Sequence, residues 1–288
     1  MKLKDWFAFI GLGLAWGSSF LWIKIAVAEI GPFTLVALRL LFGVLGLLVV
    51  VALQRPAWPE WGPVWRALVI IGMTNTAIPF VLISWGELYI DSAVAAVLNS
   101  TVPLFTMIIA HLYLSDDRLS ATRLFGLLIG FVGVVILLLR DLEAGFGGSA
   151  PGQGAVLLAA MFYAGSSVYA RRNTRGITPV VHALVPLIAA DVAIWLVTPL
   201  VESPLTLPAL PLTWLAIVWL GLIGSCLAYL LYFYLLHSVG PTRSTLVTYV
   251  FPLVGVVLGV IFLNERLDWN LLVGGSMVVG SIAVVNAR

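Results

Sequence analysis

The chain has 288 residues, 61% hydrophobic and 10% charged, with 15 basic and 13 acidic side chains for a net charge of +2. A soluble domain runs at roughly 45–50% apolar and about 25% charged residues, so this chain lacks the polar surface that a dispersed globule needs. The charge is too small to hold a nucleic acid. Cys226 is the single cysteine, which excludes an intrachain disulfide and a cysteine-rich metal site.

A bilayer core of about 30 Å is crossed by roughly 20 apolar residues in a helix. Such segments run over 6–27, 31–53, 64–85, 92–113, 122–139, 152–171, 178–201, 212–236, 241–263 and 269–286. They predict an all-α integral membrane protein of ten transmembrane helices, embedded in a lipid bilayer. The longest connections, 54–63, 140–152 and 202–211, carry Pro, Gly or charge, as loops do. Lys2 and Lys4 precede the first segment in the manner of a signal peptide. Its apolar run is too long for one, and no small-residue cleavage site follows, so it is expected to remain as the first span.

Basic residues set the orientation. With the N-terminus in the cytoplasm, the inner loops and ends hold Lys2, Lys4, Arg55, Arg66, Arg118, Arg123, Arg171, Arg172, Arg175, Arg243 and Arg288, which is 11 of the 15. The outer loops hold only Arg140 and Arg266. This bias predicts that both termini are cytoplasmic. Trp58, Trp61 and Trp65 on one side, and Trp214 and Trp269 on the other, suit the interfacial belts.

The chain then matches itself at an offset of 148–149 residues: Trp65 with Trp214, Gly72 with Gly221, Pro103 with Pro252, Gly126 with Gly274. Gly17-Ser18-Ser19 returns as Gly165-Ser166-Ser167, and Pro32 has its counterpart in Pro179. The reading is a five-helix unit written twice, over 1–141 and 150–288. Five is odd, so the second unit enters the membrane from the opposite side and the repeats are inverted. Inverted repeats are characteristic of secondary transporters.

Ala15-Trp16-Gly17-Ser18-Ser19-Phe20 resembles the opening motif of EamA-type members of the drug/metabolite transporter superfamily. Also similar are Val239-Gly240-Pro241-Thr242-Arg243, Tyr249-Val250-Phe251-Pro252 and Leu263-Asn264-Glu265-Arg266-Leu267. The resemblance covers essentially the whole chain in two copies. It implies a bacterial inner-membrane exporter of amino acids, metabolites or toxic compounds, with a central cavity between the halves. The loop 114–119 carries one residue more than its counterpart 263–267, a departure from the repeat.

Polar side chains in hydrocarbon face protein or a wet cavity. At helical spacing, the third helix presents Gly72, Thr76, Phe80 and Ile83, with Asn75 beside them, and its partner presents Gly221, Ser225, Tyr229 and Tyr232. The fourth presents Ala95, Asn99, Val102 and Thr106, and its partner Ser244, Thr248, Phe251 and Gly255. Trp16, Ser19 and Phe20 come from the first helix, and Tyr163, Ser166 and Ser167 from the sixth. The residues expected to meet substrate are Trp16, Ser19, Phe20, Asn75, Thr76, Phe80, Asn99, Tyr163, Ser167, Ser225, Tyr229 and Thr248. Glycines spaced as Gly13/Gly17, Gly126/Gly130 and Gly255/Gly259 are expected to serve close helix packing. Pro103 and Pro252 are candidate hinges, or static bends.

Three charges lie inside spans. Lys24 is expected to snorkel to the interface. Arg39 either holds a carboxylate or pairs with Glu87 or Glu265, the pair being the expectation. Asp191 either binds a cation or proton, or is a hydrogen-bonded carboxyl against a neighbouring helix. His111, His182 and His237 fall at helix ends and read as satisfied interfacial side chains. With no Walker motif and no HExxH, neither a cofactor nor catalysis is expected. The function expected is export of a small molecule, aromatic or apolar amino acids foremost, by alternating access. Efflux of organic cations is the alternative, with Asp191 then facing the cavity. A non-transporting receptor or scaffold is the other class.

Overall fold

The computed structural model describes residues 2–113, 121–139, 148–174, 176–239, 247 and 250–286, and every regular element among them is helical. The rods are α1 (Leu3–Val27), α2 (Pro32–Gln54), α3 (Pro63–Gly86) and α4 (Ser92–Tyr113), then α5 (Ala121–Leu139), α6 (Ala150–Asn173) and α7 (Pro179–Val201). Rod α8 runs through Pro211–Val218, Trp219–Leu227 and Ala228–Val239, followed by α9 (Val250–Leu263) and α10 (Trp269–Asn286). Six of them, α1 to α4, α7 and α8, are long and apolar enough to cross a membrane, and α5 and α9 contain shorter apolar helices. The chain is a multi-pass membrane protein. Pro32, Pro63, Pro179 and Pro211 each open a rod, where the missing N–H costs nothing and the fixed φ already suits the helix.

Lipid gives helices no hydrophobic drive toward one another, so small residues that admit close backbone approach bring them together. Rod α3 crosses α7 at Gly72, where a Cβ would stand 2.5 Å from the Pro186 carbonyl oxygen. Rod α8 crosses α2 at Gly221, where a Cβ would stand 2.8 Å from the Arg39 carbonyl oxygen. Gly133 of α5 and Gly274 of α10 face each other, each leaving room for the other's carbonyl at 2.7 Å from a Cβ. Gly13 and Gly17 of α1 receive Val250 and Val254 of α9, and Gly255 of α9 receives Ala96 of α4. Of the glycines expected to pack helices, Gly13, Gly17 and Gly255 are therefore at helix contacts, and Gly130 of α5 meets Leu104 of α4 and Ser281 of α10.

At one end of the bundle, charged side chains fasten neighbouring rods through backbone groups. A helix start leaves four N–H groups unsatisfied and carries a partial positive charge. Glu202, after α7, accepts from Phe33 N at 2.8 Å, Thr34 N at 2.9 Å and the Thr34 hydroxyl at 2.6 Å at the start of α2. Glu265, after α9, accepts from Ser92 N at 2.7 Å and Ala93 N at 3.0 Å at the start of α4. Glu29, after α1, accepts from Ala209 N at 2.6 Å and Leu210 N at 3.0 Å just ahead of α8. Lys24 supplies the opposite charge to a helix end. Its Nζ donates to the carbonyls of Glu87 at 2.5 Å and Ile90 at 2.8 Å, closing α3. Lys24, expected to snorkel, reaches this end of the bundle and caps it, because the carbonyls past α3 need donors and lie within its reach. At the opposite end, Asp5 of α1 accepts from Tyr234 Oη at 3.1 Å and Ser238 Oγ at 2.7 Å of α8.

Candidate substrate site

Four of the rods are interrupted at or near mid-length, α1 by a turn at Ser18. Met73–Ala77 in α3 and Trp219–Leu227 in α8 are π-helical, a widened turn that recurs at functional sites. The first holds Thr74, Asn75 and Thr76, residues that favour helix interiors poorly. Its Thr74 hydroxyl donates to Ile70 O at 2.8 Å and accepts from Ser166 Oγ of α6 at 3.1 Å. In the second, Ser225 Oγ donates five residues back to Leu220 O at 3.0 Å. The sequence offset that matches Gly72 with Gly221 brings the two interruptions onto corresponding stretches. Rod α4 breaks at Ser100 and Thr101, just before Pro103. Their hydroxyls take up the carbonyls of Val97 and Leu98, both at 2.6 Å. Asn99 stands at this break with its side-chain oxygen buried and unbonded.

Aromatic rings gather beside the interruptions. Trp16 of α1 donates its indole N–H to Gly224 O, inside the second π segment, at 3.2 Å. Its ring meets Tyr229, Tyr232 and Phe251 at centroid distances of 6.2, 5.7 and 5.6 Å. Tyr229 accepts from Asn75 Nδ2 at 3.5 Å and shares a hydrogen bond with buried Thr76, so α3 and α8 meet through polar groups.

Arg39 lies at the same level and is 4% exposed. Its Nε donates to Ser225 Oγ at 3.2 Å, and its guanidinium carbon sits 3.8 Å over the Phe80 ring centre. The expected pair with Glu87 or Glu265 does not form. Glu265 is engaged by the amides at the start of α4. Glu87 is fully buried with both carboxyl oxygens unbonded, and acts on Lys24, Glu265 and Arg39 only through its field. No carboxylate among the described residues forms an ion pair with Arg39. A buried charge stripped of its partner costs about 3–5 kcal/mol, so the arrangement needs a reason. Tyr163 of α6 and Tyr229 are close enough for electrostatic interaction with the guanidinium.

The structure thus brings Trp16, Asn75, Thr76, Phe80, Tyr163, Ser225 and Tyr229 together around Arg39. Ser19 turns its hydroxyl to Ala15 O of its own helix at 3.0 Å, and Phe20 is buried in the largest apolar cluster. Ser167 is exposed and bonds Ala164 O at 2.8 Å, whereas its neighbour Ser166 faces Thr74. Asp191 of α7 bonds Trp195 one turn along its own rod and keeps a buried, unbonded Oδ1. Pro252 lies in the first described turn of α9, and Thr248 lies outside the described residues. Sequence reasoning did not anticipate the π segments or the α4 break. Their only local signal is the density of Thr, Asn, Gly and Ser at 74–76, 100–101 and 221–225.

A profile of the EamA-like transporter family matches residues 4–139 and again 150–287. The chain belongs to the EamA-like transporter family. It is 30% identical over 254 residues to an uncharacterized inner membrane transporter, YedA, of Escherichia coli K12, covering 88% of this chain and 80% of that one. It is 25% identical over 279 residues to an uncharacterized transporter, YvbV, of Bacillus subtilis 168, covering 96% and 90%. A solved crystal structure shares the fold with a TM-score of 0.70 at 22% identity, over 99% of this chain and 98% of its own. Membership of the EamA-like family points to a transporter rather than an enzyme. The interrupted rods are compatible with that, since irregular backbone in a membrane is tolerated where it is buried in protein or lines a cavity.

Proposed function

We propose that this EamA-like protein exports a small metabolite, with aromatic or apolar amino acids as the preferred cargo. Cargo moves by alternating access through the centre described above. The two halves, 1–141 and 150–288, are five-helix units of opposite direction in a bacterial inner membrane, with both termini cytoplasmic. The observation that carries this reading is the exchange of contacts between halves. Rod α3 crosses α7 at Gly72 while α8 crosses α2 at the matching Gly221. Repeat mates meet each other in the same way, α5 with α10 through Gly133 and Gly274 and α4 with α9 through Ala96 and Gly255. Such reciprocity is what a pseudo-twofold axis in the membrane plane produces, and it gives two mirror-related ways to close the same centre. The aromatic and hydroxyl walls suit a cargo with a flat ring and a few polar atoms.

The test is uptake into proteoliposomes of a panel of labelled amino acids and cationic dyes at two pH values. Flux of phenylalanine or a related amino acid supports the reading. Movement of cationic dyes alone replaces the cargo class, and binding without any flux makes the protein a receptor. Reporter fusions that place the two termini on opposite faces remove the inverted design.

A further inference from the structure

Among the described residues, Arg39 is a buried intramembrane cation that makes one hydrogen bond, to Ser225. Its Nε is fixed by Ser225, and Ser225 is itself tied to Leu220 O, so the serine sets the direction of the guanidinium. Phe80 covers one face and fixes its plane. Among the described residues the two terminal nitrogens have no hydrogen-bond acceptor, yet they are not among the sealed and unbonded polar atoms. They are therefore not fully sealed, in a side chain that is 4% exposed and held against Ser225 of the second π segment. We propose that this fork is the anchor for the carboxylate of a small organic monoanion, which makes the cargo an organic acid or zwitterion rather than a cation. This deepens the transport reading above and rests on it for the word cargo.

Three features select that class. The planar fork presents two parallel N–H groups to a carboxylate, a match that an ammonium lacks. The ligand's charge is limited to one, because Lys24, the other cation that the sequence places inside a span, has its Nζ engaged by the carbonyls of Glu87 and Ile90. A phosphate dianion would face a single compensating charge. The remaining polar groups nearby, Asn75, Thr76 and Tyr229, are neutral, and Trp16 gives a ring surface beside them. An unpaired guanidinium also repels an organic cation at close range, since two unit charges in a poorly screened site interact strongly.

The experiment uses the full chain purified in detergent, with binding followed by tryptophan fluorescence. The probes are L-phenylalanine, 3-phenylpropionate, phenethylamine, L-phenylalanine methyl ester and inorganic phosphate. The two acids are expected to bind, with the amine, the ester and phosphate at least tenfold weaker. Arg39→Gln and Arg39→Lys are each expected to weaken the acids at least tenfold. Equal binding of amine or ester, tighter binding of phosphate, or no binding of either acid overturns the proposal. So does an Arg39→Gln chain, folded by gel filtration, that keeps acid binding within twofold. The comparison of acids with amine and ester uses the native chain and stands even if both variants fail to fold. Flux in liposomes separates the two claims. Arg39-dependent binding without flux leaves the anchor and removes transport, whereas flux that ignores Arg39→Gln leaves transport and removes the anchor.

Discussion

The charged side chains at one end of the bundle and the charged side chain in its middle behave in opposite ways. At the end, Lys24, Glu29, Glu202 and Glu265 each give their charge to backbone groups of another rod or its approach, in pairs of short hydrogen bonds. In the middle, Arg39 makes one hydrogen bond among the described residues, to a serine, and stacks on a ring. The end charges complement helix termini and hold the ends together. The middle charge has no such debt to the backbone, which is why it is available to a ligand. On the alternating-access reading, the end fastenings have to release in every cycle, while the geometry around Arg39 has to persist.

The strongest blow to this division is struck between the two regions, at Gly221. A side chain there meets Phe42 and the backbone carbonyl of Arg39 itself, at 2.8 Å from a Cβ. Backbone cannot yield as a flexible side chain does, and overpacking costs about 1–3 kcal/mol or more. Gly221→Val is expected to lower the unfolding midpoint in detergent and to abolish flux by displacing Arg39. Gly154→Ala, where an added methyl meets nothing within 4 Å, is the matched control and is expected to leave both unchanged. Equal behaviour of the two variants would show that the α2/α8 crossing does not position the centre.

Next comes Lys24. Hydrogen bonds to a charged group contribute about 1.5–3 kcal/mol, and Lys24→Met forfeits two of them and leaves the Glu87 and Ile90 carbonyls unpaired. The expected result is a loss of about 1–3 kcal/mol in reversible unfolding, with ligand affinity at Arg39 altered less than twofold. A tenfold loss of affinity would mean that end and middle are not separate. Glu202→Ala and Glu265→Ala come below it. Each removes a cap, for which about 0.5–2 kcal/mol is typical, and the Gln variants, which keep one acceptor, are expected to lose less. Thermal unfolding of all four variants gives the ranking.

The end and the middle also differ in how they could be read from sequence. The apolar rods were legible because their runs of hydrophobic residues have one use at that length. Arg39, Ser225, Asn75 and Tyr229 were legible because polar groups stand out in such runs. The caps were not, since Glu202 and Glu265 find their amides 168 and 173 residues away and no local pattern encodes the partner. Ser166 and Ser167 show the limit inside the site. They are adjacent and chemically identical, and a rotation of α6 by one residue, set by its contact with Thr74, decides which one faces inward. The π segments depend on which backbone groups pair, which composition alone does not fix.

The smallest effect expected is at Glu29, and its sign is set by titration. The Thr213 hydroxyl, the largest influence, holds its carboxyl below the ordinary value of 4.5, with burial pushing the other way and the Leu210 and Ala209 amides adding to the lowering. A group whose folded value is depressed stabilises the fold fully above its unfolded value, and that contribution fades as pH falls through the folded one. The fastening between the end of α1 and the start of α8 should therefore hold at neutral pH and weaken below about 4.5. Because Glu29 is partly exposed, screening keeps the contribution small. Other carboxylates titrate over the same range, so the quantity to measure is the difference in unfolding temperature between the native chain and Glu29→Gln, from pH 7 to pH 3. That difference should be present at pH 7 and shrink toward zero in acid. A difference that stays constant over the whole range would show that Glu29 acts through size or packing, and would take it out of the set of charges that fasten the end.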